Sequence, residues 1–272
     1  MNKDIFFDAL TAQASSALQS EELLRQLPPV LRARDFHLYL NGGQRLTDLW
    51  LMGGRAILGH KPSRFVLELK NAAERGLFTP LPHPAEKRLI KALTQLFPNH
   101  TFRLYNEYSS LHRAVEAAGI SNSQDKCIHL WRPFHKDLRD AQVFVPVLPW
   151  PQAPAVLVLD ESLDASFPDG ELIAPVLLAP ATRALYNLLA AGDNGARPQY
   201  QSINKALSKT HKWKCQGIYL TRNPEIKENW KDLWEHFLEK GFLLPPSAFE
   251  PLILPGILSK GEEAKLAGLL EL

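Results

Sequence analysis

The side chains in this sequence that could do chemistry are scattered rather than paired. Its nine histidines include no H-x-x-x-H spacing, so no helical metal pair is encoded. His129 and His135 flank Trp131-Arg132-Pro133-Phe134, a spacing that matches no metal pattern. Cys127 and Cys215 stand far apart, carry no nucleophile motif and sit in apolar, strand-like stretches, so both are expected as buried thiols. The glycine-bearing run from Gly53 to Gly59 matches neither a Walker A loop nor G-x-G-x-x-G. Lys205, Lys209, Lys212 and Lys214, with His211 and Trp213, form a basic stretch that could meet a phosphate or a nucleic acid. The expectation is the plainer one, a solvated helix end leading into a strand. Ser109 or Ser110 can cap a helix that begins there. Asp160 ends an apolar strand, where aspartate is a common turn residue.

The elements that must position these residues follow from periodicity and punctuation. A helix is expected over 3–27, stopped by Pro28-Pro29. FHLYLN (36–41) and 45–51 read as a hairpin turned at Asn41-Gly42-Gly43, and RAIL as a third extended piece. Helices follow over 62–75 and from Pro84 to Pro98. TFRLYN (101–106) is a strand and 109–118 a helix closed by Gly119. CIHLW, QVFVPVL and AVLVLD are continuous apolar runs, as suits strands covered on both faces, and a largely parallel layer is expected. Helices at 180–191 and 199–208, a single strand CQGIYL (215–220), a helix at 225–240, a strand near 251–254 and a last helix from Glu262 complete the chain.

The bulk numbers suit a globular protein with a substantial core: hydrophobic residues are 45% and charged residues 22%. A formal net charge of +2 predicts no strong attraction to nucleic acid or membranes. Acidic residues interrupt the apolar N-terminal stretch, which lacks the core of a signal peptide, and no apolar run reaches membrane-spanning length. A cytoplasmic protein is expected.

Two stretches carry a resemblance. YLNGGQRLTDLWLMGGRAILGHKP (39–62), HPAEKRLIKALTQLFP (83–98) and TFRLYNEYSSLHRAVEAAG (101–119) are similar, in order, to the N-terminal third of class III pyridoxal-phosphate (PLP) aminotransferases, especially glutamate-1-semialdehyde aminomutases. WEHFLEKGFLLPPSAFEPLIL with KGEEAKLAGLL (234–270) resembles the same family's C-terminal domain, with its Pro-Ser-x-Phe-Glu strand and last helix. The resemblance covers about half the chain and implies an α/β fold: a reduced PLP-transferase-like (fold type I) large domain with a small α+β domain formed by the two ends. The expected divisions are 1–83, 84–198 and 199–272, the last packing with the first.

PLP chemistry needs a lysine for the Schiff base, an acid at the pyridine nitrogen and donors for the phosphate. By the resemblance, Asn106, Ser109 and Ser110 lie at the phosphate turn, Asp160 pairs with the pyridine nitrogen, and Arg55 lines a ligand cleft, with His60 a structural turn residue. The sequence departs from the family at that turn, where Tyr108 stands for a glycine and Glu107 adds a negative charge. No lysine occurs between Asp160 and Lys205, and Pro-Val-Leu-Leu-Ala (175–179) occupies the place of a lysine-bearing turn. The expectation is therefore a pseudoenzyme: a non-catalytic ligand- or partner-binding homologue with no bound cofactor and no catalytic residues. A compact PLP-dependent aminotransferase or aminomutase using a displaced lysine such as Lys205 is the alternative, and a structural or assembly subunit is another. The resemblance also implies a homodimer.

Overall fold

The computed structural model describes residues 20–119, 128–135, 142–192, 200–226 and 228–271. The chain divides into two compact units. One is Pro62–Ala190; the other joins the described residues up to Lys61 with those from Ala191 onward. The expected N-terminal helix and Cys127 lie largely or wholly outside the described residues.

The Pro62–Ala190 unit is built on a four-stranded sheet. Its strands are β4 (His100–Tyr105), β5 (His129–Trp131), β6 (Val143–Pro146) and β7 (Ala155–Asp160), in the spatial order β4-β7-β6-β5. β1 to β3 belong to the other unit and are described below. Ala155, Leu157 and Leu159 of β7 face helix α3 (Tyr108–Ala117), packing with its Leu111, Ala114 and Val115. Val156 and Val158 alternate to the opposite face and are fully buried. Phe97, just past helix α2 (Pro84–Leu96), stacks edge-on against Phe144, with ring centroids 4.9 Å apart. Helices α1 (Phe65–Glu74) and α4 (Pro175–Ala191) complete the unit.

The sheet is not largely parallel. β7 runs antiparallel to both β4 and β6, and only β5 and β6 are parallel. The link 147–154 between β6 and β7 is too short for the crossover that parallel neighbours require, about a dozen residues or more. Continuous apolar sequence reports burial on both faces, which either strand direction satisfies.

The other unit carries β1 (Val30–Arg34), β2 (His37–Leu40) and β3 (Arg45–Asp48) as an antiparallel meander, extended in parallel by β10 (Phe242–Leu243) beside β3. The two ends of the chain thus share one sheet. A second sheet has the order β11-β9-β8, with β8 (Trp213–Gln216), β9 (Tyr219–Arg222) and β11 (Leu252–Ile253). Where one strand was expected at 215–220 there is a hairpin, turned at Gly217 in the left-handed region (φ 65°). That turn leaves Cys215 exposed on edge strand β8 rather than buried. RAIL is not extended either: 51–58 is a 3₁₀ turn and further turns. Helices α5 (Gln201–Lys209), α6 (Trp230–Glu239) and α7 (Lys260–Glu271) belong to this unit, α5 packing against α7 and α6 against β10. The indole N–H of Trp234 anchors α6 by donating to the Leu244 carbonyl at 3.1 Å.

Candidate functional site

Strand β4 delivers the chain to the start of α3, with Asn106 and Glu107 in the turn between them. Glu107 is the N-cap in extended backbone, yet its side chain accepts no backbone N–H of the helix. It accepts instead from the Ser109 hydroxyl at 2.9 Å.

A second carboxylate fills the turn. Pro168–Leu172 runs beside the free edge of β4, where the Glu171 N–H donates to the Leu104 carbonyl at 2.7 Å. Gly170 permits this approach, because a Cβ there would lie 2.7 Å from the Leu104 oxygen. Glu171 Oε2 then accepts from the Asn106 backbone N–H at 2.8 Å and from Asn106 Nδ2 at 2.9 Å. Arg113 Nη2 donates to the Ser110 hydroxyl at 2.9 Å. The Asn106 N–H holds the Glu171 carboxyl below the ordinary range, with help from the side chains of Asn106 and Ser110 and the charge of Arg113. Asn106, Ser109 and Ser110 are therefore brought together, and all three are engaged with the chain's own carboxylates.

Asp160 is not brought to them. In the β4–β7 register it pairs with His100, at the start of β4, while Ala155 pairs with Tyr105 at its end. The length of β4, roughly 17 Å at ~3.4 Å per residue, separates Asp160 from Asn106. Asp160 Oδ1 accepts from the Ser162 hydroxyl at 2.6 Å and the Ser162 N–H at 2.9 Å. The Ser162 hydroxyl, then its N–H, draws the Asp160 carboxyl below the ordinary range. The antiparallel direction of β7 is the physical reason for the separation.

Ligands of α/β sheets bind beyond the carboxyl ends of strands. Here β4, β5 and β6 run in one direction, so that edge carries Asn106 and Glu107, then Arg132–His135, then Val147–Trp150. In the sequence His135 is weighed only with His129, as a spacing that matches no metal pattern, and Arg132 only as a residue between them. Residues 106–110, 132–135 and 147–154 contain no lysine. Lys136 falls outside the described residues. Lys205 is exposed on α5, in the other unit.

Arg55 also lies in the other unit, closing a 3₁₀ turn after β3. Leu51, Met52, Gly53 and Gly54 all take left-handed backbone. Buried Asp48 holds this loop: its Oδ1 accepts from the N–H groups of Trp50 and Leu51, each at 2.9 Å. Its Oδ2 accepts from His60 Nε2 at 3.0 Å. Gly59 is needed where the backbone passes Asp35, whose oxygen a Cβ would approach to 3.0 Å. His60 is thus a structural tie in the loop.

No protein-family model matches the chain. An uncharacterized protein of Treponema pallidum (strain Nichols) is 29% identical over 285 residues, covering 86% of this chain and 91% of that protein. An uncharacterized protein of Borreliella burgdorferi is 24% identical, covering 88% and 89%. Among solved structures, acetylornithine aminotransferase from Elizabethkingia anophelis aligns with a TM-score of 0.66 at 12% identity, over 94% of this chain and 98% of that one. Ornithine delta-aminotransferase of Plasmodium falciparum aligns at 0.64 and 11%, over 94% and 97%. An omega-transaminase from Sphaerobacter thermophilus aligns at 0.66 and 10%, over 94% and 96%. The chain has the mixed α/β fold of the PLP-dependent aminotransferases.

Proposed function

We propose that this chain is a non-catalytic member of the aminotransferase fold, a ligand- or partner-binding protein without Schiff-base chemistry of its own. The observation that carries the reading is Glu171 at the β4–α3 turn, accepting from both the backbone and the side chain of Asn106. A helix start of this kind suits an anion because its N–H groups are unsatisfied. With a carboxylate already there, and Glu107 beside it, a phosphate would meet two negative charges. The residues of this turn do not fit the phosphate of PLP. The position of Asp160 supports the same reading, since an acid on the far edge of the sheet cannot reach a ring held at Asn106.

The test is an absorbance spectrum of the purified chain with and without added PLP, then borohydride reduction and peptide mapping. The expected result is no aldimine band at the visible edge and no lysine carrying a reduced pyridoxyl group. A single stoichiometric adduct, on Lys136 or Lys205 for example, would overturn the reading in favour of a compact PLP enzyme.

The reading extends to self-association. β1 is an edge strand whose Val30 and Leu31 are 45% and 69% exposed, and Phe249 is 77% exposed. Open edges and exposed apolar side chains favour covering by another chain. A homodimer is the expected state, and a monomer in light scattering at micromolar concentration would remove this part of the proposal.

A further inference from the structure

The groups around Glu171 converge, because they already share one carboxylate. Its Oε2 accepts from the Asn106 backbone N–H at 2.8 Å and from Asn106 Nδ2 at 2.9 Å. The Ser110 hydroxyl and the charge of Arg113 also favour the ionised form of Glu171. Arg113 Nη2 donates to that hydroxyl at 2.9 Å, which holds the guanidinium beside the turn. Two amide donors, a hydroxyl and a nearby cation make the donor set of an oxyanion site. Its occupant here is part of the chain.

Glu171 is not a local cap. It lies 65 positions from Asn106 and comes on the segment 168–172, which is neither helix nor strand. Buried side chains anchor both ends of that segment, Phe167 at 6% and Ile173 at 2% exposure. Between them Pro168, Asp169, Gly170 and Leu172 are exposed. The Glu171 N–H donates to the Leu104 carbonyl at 2.7 Å. The carbonyls of Pro168 and Leu172 accept from the side chains of Arg103 and Asn106, each at 3.3 Å. A surface segment with few backbone bonds and anchored ends can open locally while the rest of its unit stays folded. Glu107 is no second occupant of the donors, since it caps no N–H of α3 and accepts from the Ser109 hydroxyl.

We propose that Pro168–Leu172 is an autoinhibitory strap: Glu171 plugs an oxyanion site made by Asn106, Ser110 and Arg113, and an external carboxylate or phosphate enters only when the strap withdraws. This rests on the reading of the turn as closed to the phosphate of PLP, and it makes that closure the work of a removable group.

The test titrates the ¹⁵N-labelled full chain and its Glu171→Ala variant with acetate and with inorganic phosphate. The Asn106 backbone and side-chain amides and the amides of Ser109 and Ser110 are followed, with sodium chloride at matched ionic strength as the control. Saturable 1:1 shifts confined to this turn are expected in Glu171→Ala, with binding by the parent weaker by about tenfold or more. Adding Arg113→Ala should reverse the gain. Tighter binding of acetate identifies a carboxylate as the external ligand; tighter binding of phosphate identifies a phosphorylated one. If Glu171→Ala does not fold, Glu171→Gln, which keeps the shape and removes the charge, carries the same comparison. The proposal is overturned if the folded variant gives no saturable shifts, if chloride reproduces them, or if the parent binds as tightly. The non-catalytic reading fails by a different result, a pyridoxyl adduct on a lysine of the parent, so the two failures are told apart.

Discussion

One carboxylate ties the β4–α3 turn together. Glu171 ties the turn by two bonds from Asn106, and its titration is set by them. Because its folded pKa is depressed, its contribution to stability is present above the ordinary glutamate value of about 4.3 and fades as pH falls through the lower folded value. Glu171→Gln should therefore lower stability at neutral pH by about 1 kcal/mol, a modest loss because water screens the partly exposed group. The difference from the parent should shrink below pH 4, as urea titrations at the two pH values would show. The sequence identified Asn106, Ser109 and Ser110 as neighbours because they are close in the chain. It could not supply Glu171, which lies 65 positions from Asn106 and arrives only because its segment runs along the β4 edge. Glu107 and Tyr108, by contrast, were legible as departures at that turn, since a bulky side chain and a like charge oppose an anion wherever the backbone goes.

At the scale of elements, the segment Pro168–Leu172 does two things at once. It covers the free edge of β4, which would otherwise offer unpaired backbone groups to other chains, and it carries Glu171 to the turn. Both depend on Gly170. A methyl group there would stand 2.7 Å from the Leu104 oxygen and 2.8 Å from its nitrogen, both backbone atoms that cannot step aside. Gly170→Ala should push the segment off β4 and destabilise the unit by roughly 2–3 kcal/mol, within the range of overpacking. Hydrogen exchange is the discriminating measurement: the Asn106 and Glu171 amides should lose protection together, and intact protection at both would refute the account. Helices were the more legible elements. The leucines of α2 and the aromatic stripe of α6 repeat at helical spacing, and the structure places helices there. Strand direction was less so, because the sequence of β7 is apolar whichever way it runs. The short proline-rich link before β7 held the information, as a length limit on the connection rather than a pattern. The β8–β9 hairpin was missed because Gly217 was read as a residue within a strand rather than as the turn that its positive φ makes it.

Over the whole molecule, the likeness of the two chain ends to one family's small domain has a physical counterpart in a sheet and a carboxylate that join them. β10 pairs with β3, and Glu262 on α7 reaches the β2–β3 hairpin from the far end of the chain. Glu262 Oε1 accepts from His37 Nε2 at 2.8 Å, Arg45 Nη2 at 2.9 Å and the Thr47 hydroxyl at 3.1 Å. Oε2 accepts from the N–H and hydroxyl of Ser259 at 2.9 Å and 2.7 Å, and the Glu262 N–H returns a bond to that hydroxyl at 3.3 Å. The second set is a capping box for α7, while the first is a tertiary tie, so one side chain both starts the helix and docks it. Burial alone would raise the Glu262 carboxyl, but Ser259 and then His37 outweigh it and hold the pKa at about 2. The folded value lies below the unfolded one, so this stabilisation is complete above about pH 4.3 and disappears as pH falls towards 2. Glu262→Gln removes the charge but keeps the shape. It should cost about 2 kcal/mol at pH 7, and its stability should fall less than the parent's between pH 5 and pH 3. A double-mutant cycle with His37→Gln should show coupling at pH 7, because the two groups share a bond. Additive effects, or an unchanged acid limb in Glu262→Gln, would mean that the two ends of the chain are held by the sheet and core alone.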